Sequence, residues 1–180
     1  PSGSGWSSSA EMGRYRPPAP KKSPYITGHG MERLRSEEKA LWLRRRDVTK
    51  ALAAAAAEGD RSENAEYIYS KKELREIDRR IRYLQKRLPD LKVVSGSPDN
   101  PAQVFFGALV TIEDSDGVES TYRIVGPDEF DEQPHYISMD SPVARALMKR
   151  HLDDEVRLET PGGDRIVWIT EIRYEESSDT

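Results

Sequence analysis

The sequence contains no cysteine, which excludes disulfide bonds and thiolate metal sites and suits a reducing compartment. It has no apolar run near the roughly 20 residues that a membrane-spanning helix needs, and its first residues show no secretory signal pattern. Aromatic residues make up only 8% of the 180 residues and apolar residues 36%, against 33% charged residues. We therefore expect a cytoplasmic protein that does not contact a membrane and that includes exposed helix.

Charge is divided unevenly along the chain, although the net charge is only −4. Residues 1–88 carry 20 Lys/Arg and 12 Asp/Glu, a balance of +8, whereas residues 89–180 carry 8 and 20, a balance of −12. A basic half favours a polyanionic partner, and an acidic half favours a basic protein surface. The two halves are thus expected to have different partners.

Two helical patterns follow residues 1–24, a segment rich in Ser, Gly and Pro that we expect to be a disordered extension. Apolar positions seven residues apart predict the first helix, with Thr27 as its N-cap, and positions three and four apart predict the second. A glycine after the first helix favours a turn near residues 59–62. Residues 25–89 therefore predict an antiparallel coiled-coil hairpin with arms about 40 Å long. The two apolar sets are Leu34, Leu41, Val48 and Ala55, and Tyr67, Ser70, Leu74, Ile77, Ile81, Leu84 and Leu88.

The hydrophobic period changes to two after residue 102, which indicates strands. We expect a linker over residues 90–102, a small antiparallel sheet domain with one short helix over 103–176, and a tail over 177–180. "DSDG" at 114–117 favours a hairpin turn over a calcium loop. Ser141 and Pro142 suit the N-cap and first position of the short helix. The predicted fold class is α+β.

Acidic residues crowd the predicted turn of the hairpin, and two of them, Asp60 and Glu63, lie three residues apart. One interpretation is helix capping, with Asp60 as the N-cap of the second helix and Glu63 reaching back to it. The other is half of a magnesium site, because Mg²⁺ takes one or two protein carboxylates and completes its shell from elsewhere. Glu58 and Glu66 add more negative charge than capping requires, so both interpretations stay open.

The second helix is rich in cations, and two interpretations of them also remain. They can form a solvated face with ion pairs along the helix, or a row that follows the phosphates of a nucleic acid. The cations are Lys71, Lys72, Arg75, Arg79, Arg80, Arg82, Lys86 and Arg87, against the acids Glu66, Glu73, Glu76 and Asp78.

Several stretches resemble bacterial Gre transcript cleavage factors, specifically the GreB type, and the resemblance covers about residues 24–176. In the hairpin they are "GDRSENAEY" at 59–67 and "KKELREIDRRIRYLQKRL" at 71–88. In the second half they are "VFFGALVTIED" at 104–114, "YRIVG" at 122–126 and "YISMDSPVARALMKR" at 136–150. The resemblance implies an N-terminal coiled-coil hairpin followed by an FKBP-like domain.

The same resemblance implies roles for particular residues. The FKBP-like domain would dock at the rim of the RNA polymerase secondary channel through Asp140, Ser141 and Pro142, and the hairpin would enter the channel. Asp60 and Glu63 would hold a Mg²⁺ ion jointly with the polymerase, so the free protein would carry no cofactor. The protein would act as a monomer that activates the polymerase's own endonuclease and would not itself be an enzyme. The residues expected to contact the RNA 3′ end of a backtracked complex are Lys71, Lys72, Arg75 and Arg79.

Three other functions remain compatible with the pattern. Some proteins of this fold inhibit the polymerase and have altered tips, whereas both tip acids are present here. A coiled-coil chaperone or RNA-binding module would need no particular acid pair. Prolyl isomerase activity of the FKBP-like domain is suggested only by analogy of fold.

Overall fold

Two long helices dominate the computed structural model, which describes residues 17–59 and 64–175. Helix α1 spans Gly28–Ala57 and helix α2 spans Ala65–Arg87, and a short 3-10 helix, Leu88–Asp90, follows α2. Ion pairs join α1 to α2, and the helices run antiparallel, because Glu37 in the first half of α1 pairs with Arg80 near the end of α2, whereas Ala55 at the end of α1 accepts from Asn64 at the start of α2. The pairs are Glu37–Arg80 at 2.6 Å, and Arg44–Glu73 and Arg45–Asp78 at 2.7 Å each.

The heptad positions form the interior of the hairpin, as predicted. Buried residues of the first set are Leu34, Val48 and Ala55, and those of the second are Ser70, Ile77, Ile81 and Leu84. Small side chains occupy the positions nearest the turn, where Ala55 and Ser70 are the buried residues. The helices therefore pack through aliphatic residues near the base and through smaller ones near the tip.

Side-chain caps define where each helix begins. The Thr27 hydroxyl accepts a hydrogen bond from the Gly30 amide at 3.1 Å, which confirms the predicted N-cap of α1. The N-cap of α2 is Asn64, whose side-chain oxygen accepts from the Tyr67 amide at 3.1 Å. The expectation that Asp60 caps α2 is therefore wrong, because the helix begins five residues later and Asn64 satisfies its first turn.

The second half of the chain forms a five-stranded sheet and one short helix. The elements of this sheet domain are β3 Leu109–Asp114, β4 Glu119–Val125, β5 Tyr136–Ser138, α3 Pro142–Leu147, β6 Glu155–Thr160 and β7 Gly163–Arg173. The strands are arranged in the order β5-β4-β3-β7-β6. The buried face of the sheet packs with α3 around a continuous apolar core that includes Val110, Ile124, Leu147, Val167 and Ile169. The predicted α+β fold class is confirmed.

One strand pair departs from the antiparallel pattern. Strands β4 and β5 run parallel, with Arg123 opposite Tyr136. A parallel neighbour requires the chain to cross back past the first strand, and the loop over residues 126–135 makes this return. The alternation in "HYISM" predicts a strand but not its direction. The expectation of a wholly antiparallel sheet is therefore wrong for the β4–β5 pair.

The hairpin turn predicted at "DSDG" joins β3 to β4. Gly117 has φ +78°, a conformation that glycine adopts without steric cost. The Asp114 carboxylate accepts hydrogen bonds from the amides of Val118 at 3.0 Å and Asp116 at 2.9 Å. These bonds, that from Val118 above all, lower the pKa of Asp114. This carboxylate stabilises the turn, which confirms the prediction of a hairpin over a calcium loop.

A second, two-stranded parallel ladder holds the base of the hairpin together. Strand β1, Tyr25–Ile26, precedes α1 and pairs with β2, Lys92–Val93, which follows α2 within the predicted linker. Residues 17–24 of the predicted extension have no regular secondary structure, but Ser23 donates two hydrogen bonds to Asp140 of the sheet domain. Residues 1–16 lie outside the described part. No helix in the described residues combines the length and apolar character needed to cross a bilayer.

The hairpin core yields a stability prediction. Replacing Ile81, 4% exposed, with alanine should lower the free energy of unfolding by about 2–5 kcal/mol, because it leaves a cavity between the helices. Leu43→Ala is the matched control: Leu43 is 57% exposed on α1, and its truncation should change stability by less than about 0.5 kcal/mol. Denaturant unfolding followed by helical circular dichroism measures both. Equal losses in the two variants would contradict this packing of the hairpin.

Candidate functional site

The tip of the hairpin carries the predicted acid pair. Asp60 and Glu63 lie outside the described residues, but the residues that flank residues 60–63 are placed. The Asn64 side-chain amide donates to the Ala55 carbonyl at 3.0 Å, so the start of α2 is bonded directly to the last turn of α1. The 30 residues of α1 span about 45 Å, and the bond between Ala55 and Asn64 lies at the end of this rod remote from the sheet domain.

The chemistry of the two tip side chains fits Mg²⁺, which prefers carboxylate oxygens. Asn64 is not a spare ligand, because its oxygen caps α2 and its nitrogen bonds Ala55. Within the described residues, no group of three or more His, Cys, Asp or Glu side chains could hold a metal ion. Asp60 and Glu63 therefore stay the predicted Mg²⁺ ligands of the hairpin.

A row of cations runs along the outer face of α2 from the tip towards the base. From Lys72 to Lys86 successive members are three or four residues apart and therefore lie on one face of the helix, and Lys71, four residues before Arg75, lies beside them. All are exposed, and in the part of the chain that the structure describes none forms an ion pair. We call this row the basic stripe: Lys71, Lys72, Arg75, Arg79, Arg82 and Lys86.

Two acids of α2 pair with α1 and not with the stripe. Glu73 and Asp78 bond across the hairpin to Arg44 and Arg45 of α1, not along their own helix. Arg80, the cation on the flank facing α1, forms a bidentate pair with Glu37, at 2.6 and 3.0 Å. Among the described residues, the predicted ion pairs along α2 are not formed by the stripe, although Glu76 lies exposed four residues after Lys72 and three before Arg79.

Apolar surface continues the stripe at its tip end. Ile68, 54% exposed, lies three and four residues before Lys71 and Lys72 on the same face. Tyr69 is 67% exposed beside it, and Lys71 lies over the ring of Tyr67, with its nitrogen 5.7 Å from the centroid. Sequence reasoning assigned Tyr67 to the apolar seam and gave the other two residues no role. Their exposure next to unpaired cations places them on the same surface.

The three residues of the predicted docking loop differ in their exposure and in their hydrogen bonds. Pro142 is exposed at the first position of α3. Ser141 is the N-cap of α3, with its hydroxyl accepting from the Ala144 amide at 3.3 Å. Asp140 is half-buried and already bonded, because its carboxylate accepts from the Ser23 amide at 2.9 Å and the Ser23 hydroxyl at 2.5 Å. Of the three, Pro142 is the residue most available to a partner.

Sequence reasoning missed a cluster of polar residues where the hairpin meets the sheet domain. Its two acids follow β4, in "GPDEF", and are almost fully buried: Glu129 is 1% exposed and the Asp128 side chain 4%. A Gly-Pro turn followed by an acid pair after a strand was the available signal, but it does not identify the residues that the two acids contact. We call this set the junction cluster: Ser23, Thr27, Tyr83, Arg87, Asp128, Glu129 and Asp140.

Comparison with known proteins bears on both halves of the chain. The family model described as "Transcription elongation factor, N-terminal" matches residues 24–93, and that described as "Transcription elongation factor, GreA/GreB, C-term" matches residues 99–174. The chain is 56% identical over 164 residues to transcription elongation factor GreB of Pseudomonas aeruginosa, a match covering 91% of this chain and 98% of the relative. It is 54% identical to the protein of that name from Yersinia pestis, with coverages of 85% and 90%. The solved structure of Gfh1 from Thermus thermophilus matches with 25% identity and a TM-score of 0.39, covering 84% of this chain and 99% of that one.

The unpaired cations predict salt-dependent binding of a polyanion. Substituting Arg75 and Arg79 together with alanine should weaken binding of single-stranded RNA and reduce the slope of log K against log salt by about 1.4, or 0.7 per lost phosphate contact. The matched control is Arg44→Ala with Arg45→Ala, which removes two cations that already have carboxylate partners. A fluorescence anisotropy titration at several salt concentrations measures both. Equal losses in the two double variants would show that net charge, not the stripe, binds RNA.

Proposed function

This chain belongs to the GreA/GreB family of transcription elongation factors and is of the GreB type, and from that premise we propose that it stimulates transcript cleavage by RNA polymerase. Its hairpin enters the secondary channel of the enzyme and acts on backtracked complexes, whose RNA 3′ end has been extruded. One observation carries this proposal beyond the family: six cations that form no ion pair with any described residue lie on one face of α2, behind a tip whose sequence carries two carboxylates.

The stripe provides the RNA-binding surface. Lys71, Lys72, Arg75 and Arg79 occupy the first turns behind the tip and have no carboxylate partner among the described residues. Phosphate groups can therefore bind them without displacing an internal ion pair. This arrangement holds the extruded 3′ segment alongside the rod and directs it to the tip.

The tip completes a metal site that belongs to the polymerase. Asp60 and Glu63 each contribute carboxylate oxygens to a Mg²⁺ ion whose other ligands come from the polymerase active site. When bound there, Mg²⁺ stabilises the charge that develops on the reacting phosphate oxygens during hydrolysis. Two carboxylates at the end of a rod of about 45 Å can be delivered to a deep channel without the sheet domain entering it.

The sheet domain remains outside the channel and docks at its rim. Pro142 is exposed at the start of α3, and Ser141 fixes the first turn of that helix, so the loop presents a constant surface. Residues 89–180, with a balance of −12, favour a basic docking surface on the polymerase. Because the chemistry requires the polymerase's own ligands, the protein is an activator of that enzyme, not an enzyme by itself.

Isosteric substitutions at the tip test this function. Asp60→Asn and Glu63→Gln retain the shape of each side chain and remove the negative charge that binds Mg²⁺. In a backtracked polymerase complex, the double variant should lose stimulated cleavage by at least about 100-fold, which corresponds to roughly 2.7 kcal/mol of transition-state stabilisation. Its affinity for the polymerase should stay within about 2-fold, since docking uses the other end of the molecule.

The control for these variants is Glu76→Gln, which neutralises an exposed carboxylate of α2 away from the tip and should retain full cleavage. Cleavage by the Asp60→Asn, Glu63→Gln double variant at the unsubstituted rate would refute the mechanism. Polymerase inhibition by the unsubstituted protein would support an inhibitor of Gre fold. RNA binding without any effect of the protein on cleavage would support a plain RNA-binding module.

A further inference from the structure

Asp140 lies in the loop expected to dock on the polymerase, yet its carboxylate is bonded within the protein. We propose that Asp140 is a positioning residue: through Ser23 and Arg87 it connects the docking loop to the base of α2 and so helps to set the direction of the hairpin. The expected effect on transcript cleavage rests on the proposed function, whereas the expected effect on the hairpin direction is measured in the free protein.

Glu129 holds the N-terminus of α1. Its carboxylate accepts hydrogen bonds from the amides of Gly126 at 2.8 Å and Thr27 at 3.1 Å, and from the Thr27 hydroxyl. The first turn of α1 contains no acidic residue, so Glu129 supplies from the sheet domain the negative charge that a helix N-terminus favours. A Cβ at Gly30 would lie 2.1 Å from the Glu129 side chain, so the contact requires glycine there.

Asp128 holds the C-terminal end of α2. It accepts from Arg87 Nε at 2.9 Å and from the Tyr83 hydroxyl, and the Arg87 side chain is only 13% exposed. Burial and, next, the bond to Asp128 raise the pKa of Tyr83, which is consistent with its hydroxyl donating to that carboxylate. Two adjacent acids of one loop thus bond the bases of both helices.

Arg87 also extends the network to the docking loop. Its Nη2 donates to the Ser23 carbonyl at 2.6 Å, and Ser23 donates its amide and hydroxyl to Asp140. Asp140 is thereby joined to Asp128 by a continuous series of hydrogen bonds that passes through the segment before α1. A partner that contacts Pro142 therefore binds two residues from Asp140, which is bonded through Ser23 to the base of the hairpin.

The length of the hairpin makes this positioning consequential. A rotation of about 10° at the base moves the end of a 45 Å rod by about 8 Å. Productive sites need their groups placed within about 0.5 Å, and a misplacement of 1 Å can cost about 100-fold in rate. A small rotation caused by a lost hydrogen bond in the junction cluster would therefore displace Asp60 and Glu63 by a much larger distance.

The direct test measures the hairpin direction in the free, full-length protein. Because the chain has no cysteine, Leu43→Cys on α1 and Val118→Cys on the β3–β4 turn give two unique spin-label positions, both exposed. Pulsed electron paramagnetic resonance should give a narrow distance distribution for the parent. Asp140→Ala removes both hydrogen bonds to Ser23 and should broaden or shift the distribution, whereas Ser23→Ala removes only the hydroxyl bond and should do so to a smaller extent. The double variant should resemble Asp140→Ala, because that substitution already removes the whole interaction.

Pro142→Ala is the matched control, since it alters the exposed docking residue without touching the network and should leave the distance distribution unchanged. If Asp140 serves only to contact the polymerase, Asp140→Ala and Ser23→Ala will both keep the parent distribution, and the inference is refuted. Independent, additive effects of the two substitutions on the distance would also refute it. None of these results requires polymerase, so they stand even if stimulated cleavage is not observed.

A second readout connects direction to activity. At saturating concentration on a backtracked complex, Ser23→Ala should reduce the maximal cleavage rate by about 10- to 100-fold while polymerase affinity changes by less than about 2-fold. Asp140→Asn, which keeps one acceptor oxygen, should recover part of the rate lost in Asp140→Ala. A Ser23→Ala protein that cleaves at the parent rate, or that loses affinity instead of rate, would contradict the positioning role.

Discussion

The buried carboxylate of Glu129 is the interaction on which the geometry of the molecule depends. A carboxylate that is 1% exposed is stable only when its oxygens are bonded, and here three donors and the N-terminus of α1 serve that purpose. Gly30 and Gly126 permit the close approach, since a Cβ at either position would lie 2.1 Å from a neighbouring atom. Asp128, the preceding residue, holds α2 through Arg87, so one short loop anchors both arms of the hairpin.

The distribution of charge along the hairpin follows from how its acids are used. Near the base, acids of the sheet domain neutralise Arg33 and Arg87. Along the rod, the inter-helix pairs Glu37–Arg80, Arg44–Glu73 and Arg45–Asp78 consume the carboxylates that face the partner helix. Among the described residues, the outer face of α2 is left with the cations of the basic stripe and the exposed acid Glu76 between Lys72 and Arg79. A predominantly basic face that leads to an acid-rich tip sequence suits the proposed delivery of carboxylates along an RNA strand.

Local patterns predicted much of this structure, and long-range contacts account for what they missed. Seven-residue spacing predicted the buried faces, and Thr27, Ser141 and the turn at Gly117 were identified because caps and turns depend on neighbouring residues. Asn64 was overlooked as the cap of α2, since Asp60 and Glu63 have the spacing of a capping box. The Thr27–Glu129 and Ser23–Asp140 contacts join residues 102 and 117 positions apart, and no periodicity encodes them. The cation positions were predicted, but their lack of partners depended on the register of α1 against α2.

The central claim, that the tip completes a metal site of the polymerase, is tested most directly by titrating Mg²⁺. Transcript cleavage in a backtracked complex is measured over a range of Mg²⁺ concentrations with and without the protein at saturation. If Asp60 and Glu63 supply ligands, the protein will lower the Mg²⁺ concentration that gives half-maximal cleavage, because added carboxylates strengthen a site otherwise held by fewer ligands. A half-maximal Mg²⁺ concentration that is the same with and without the protein, while the maximal rate rises, would contradict the account.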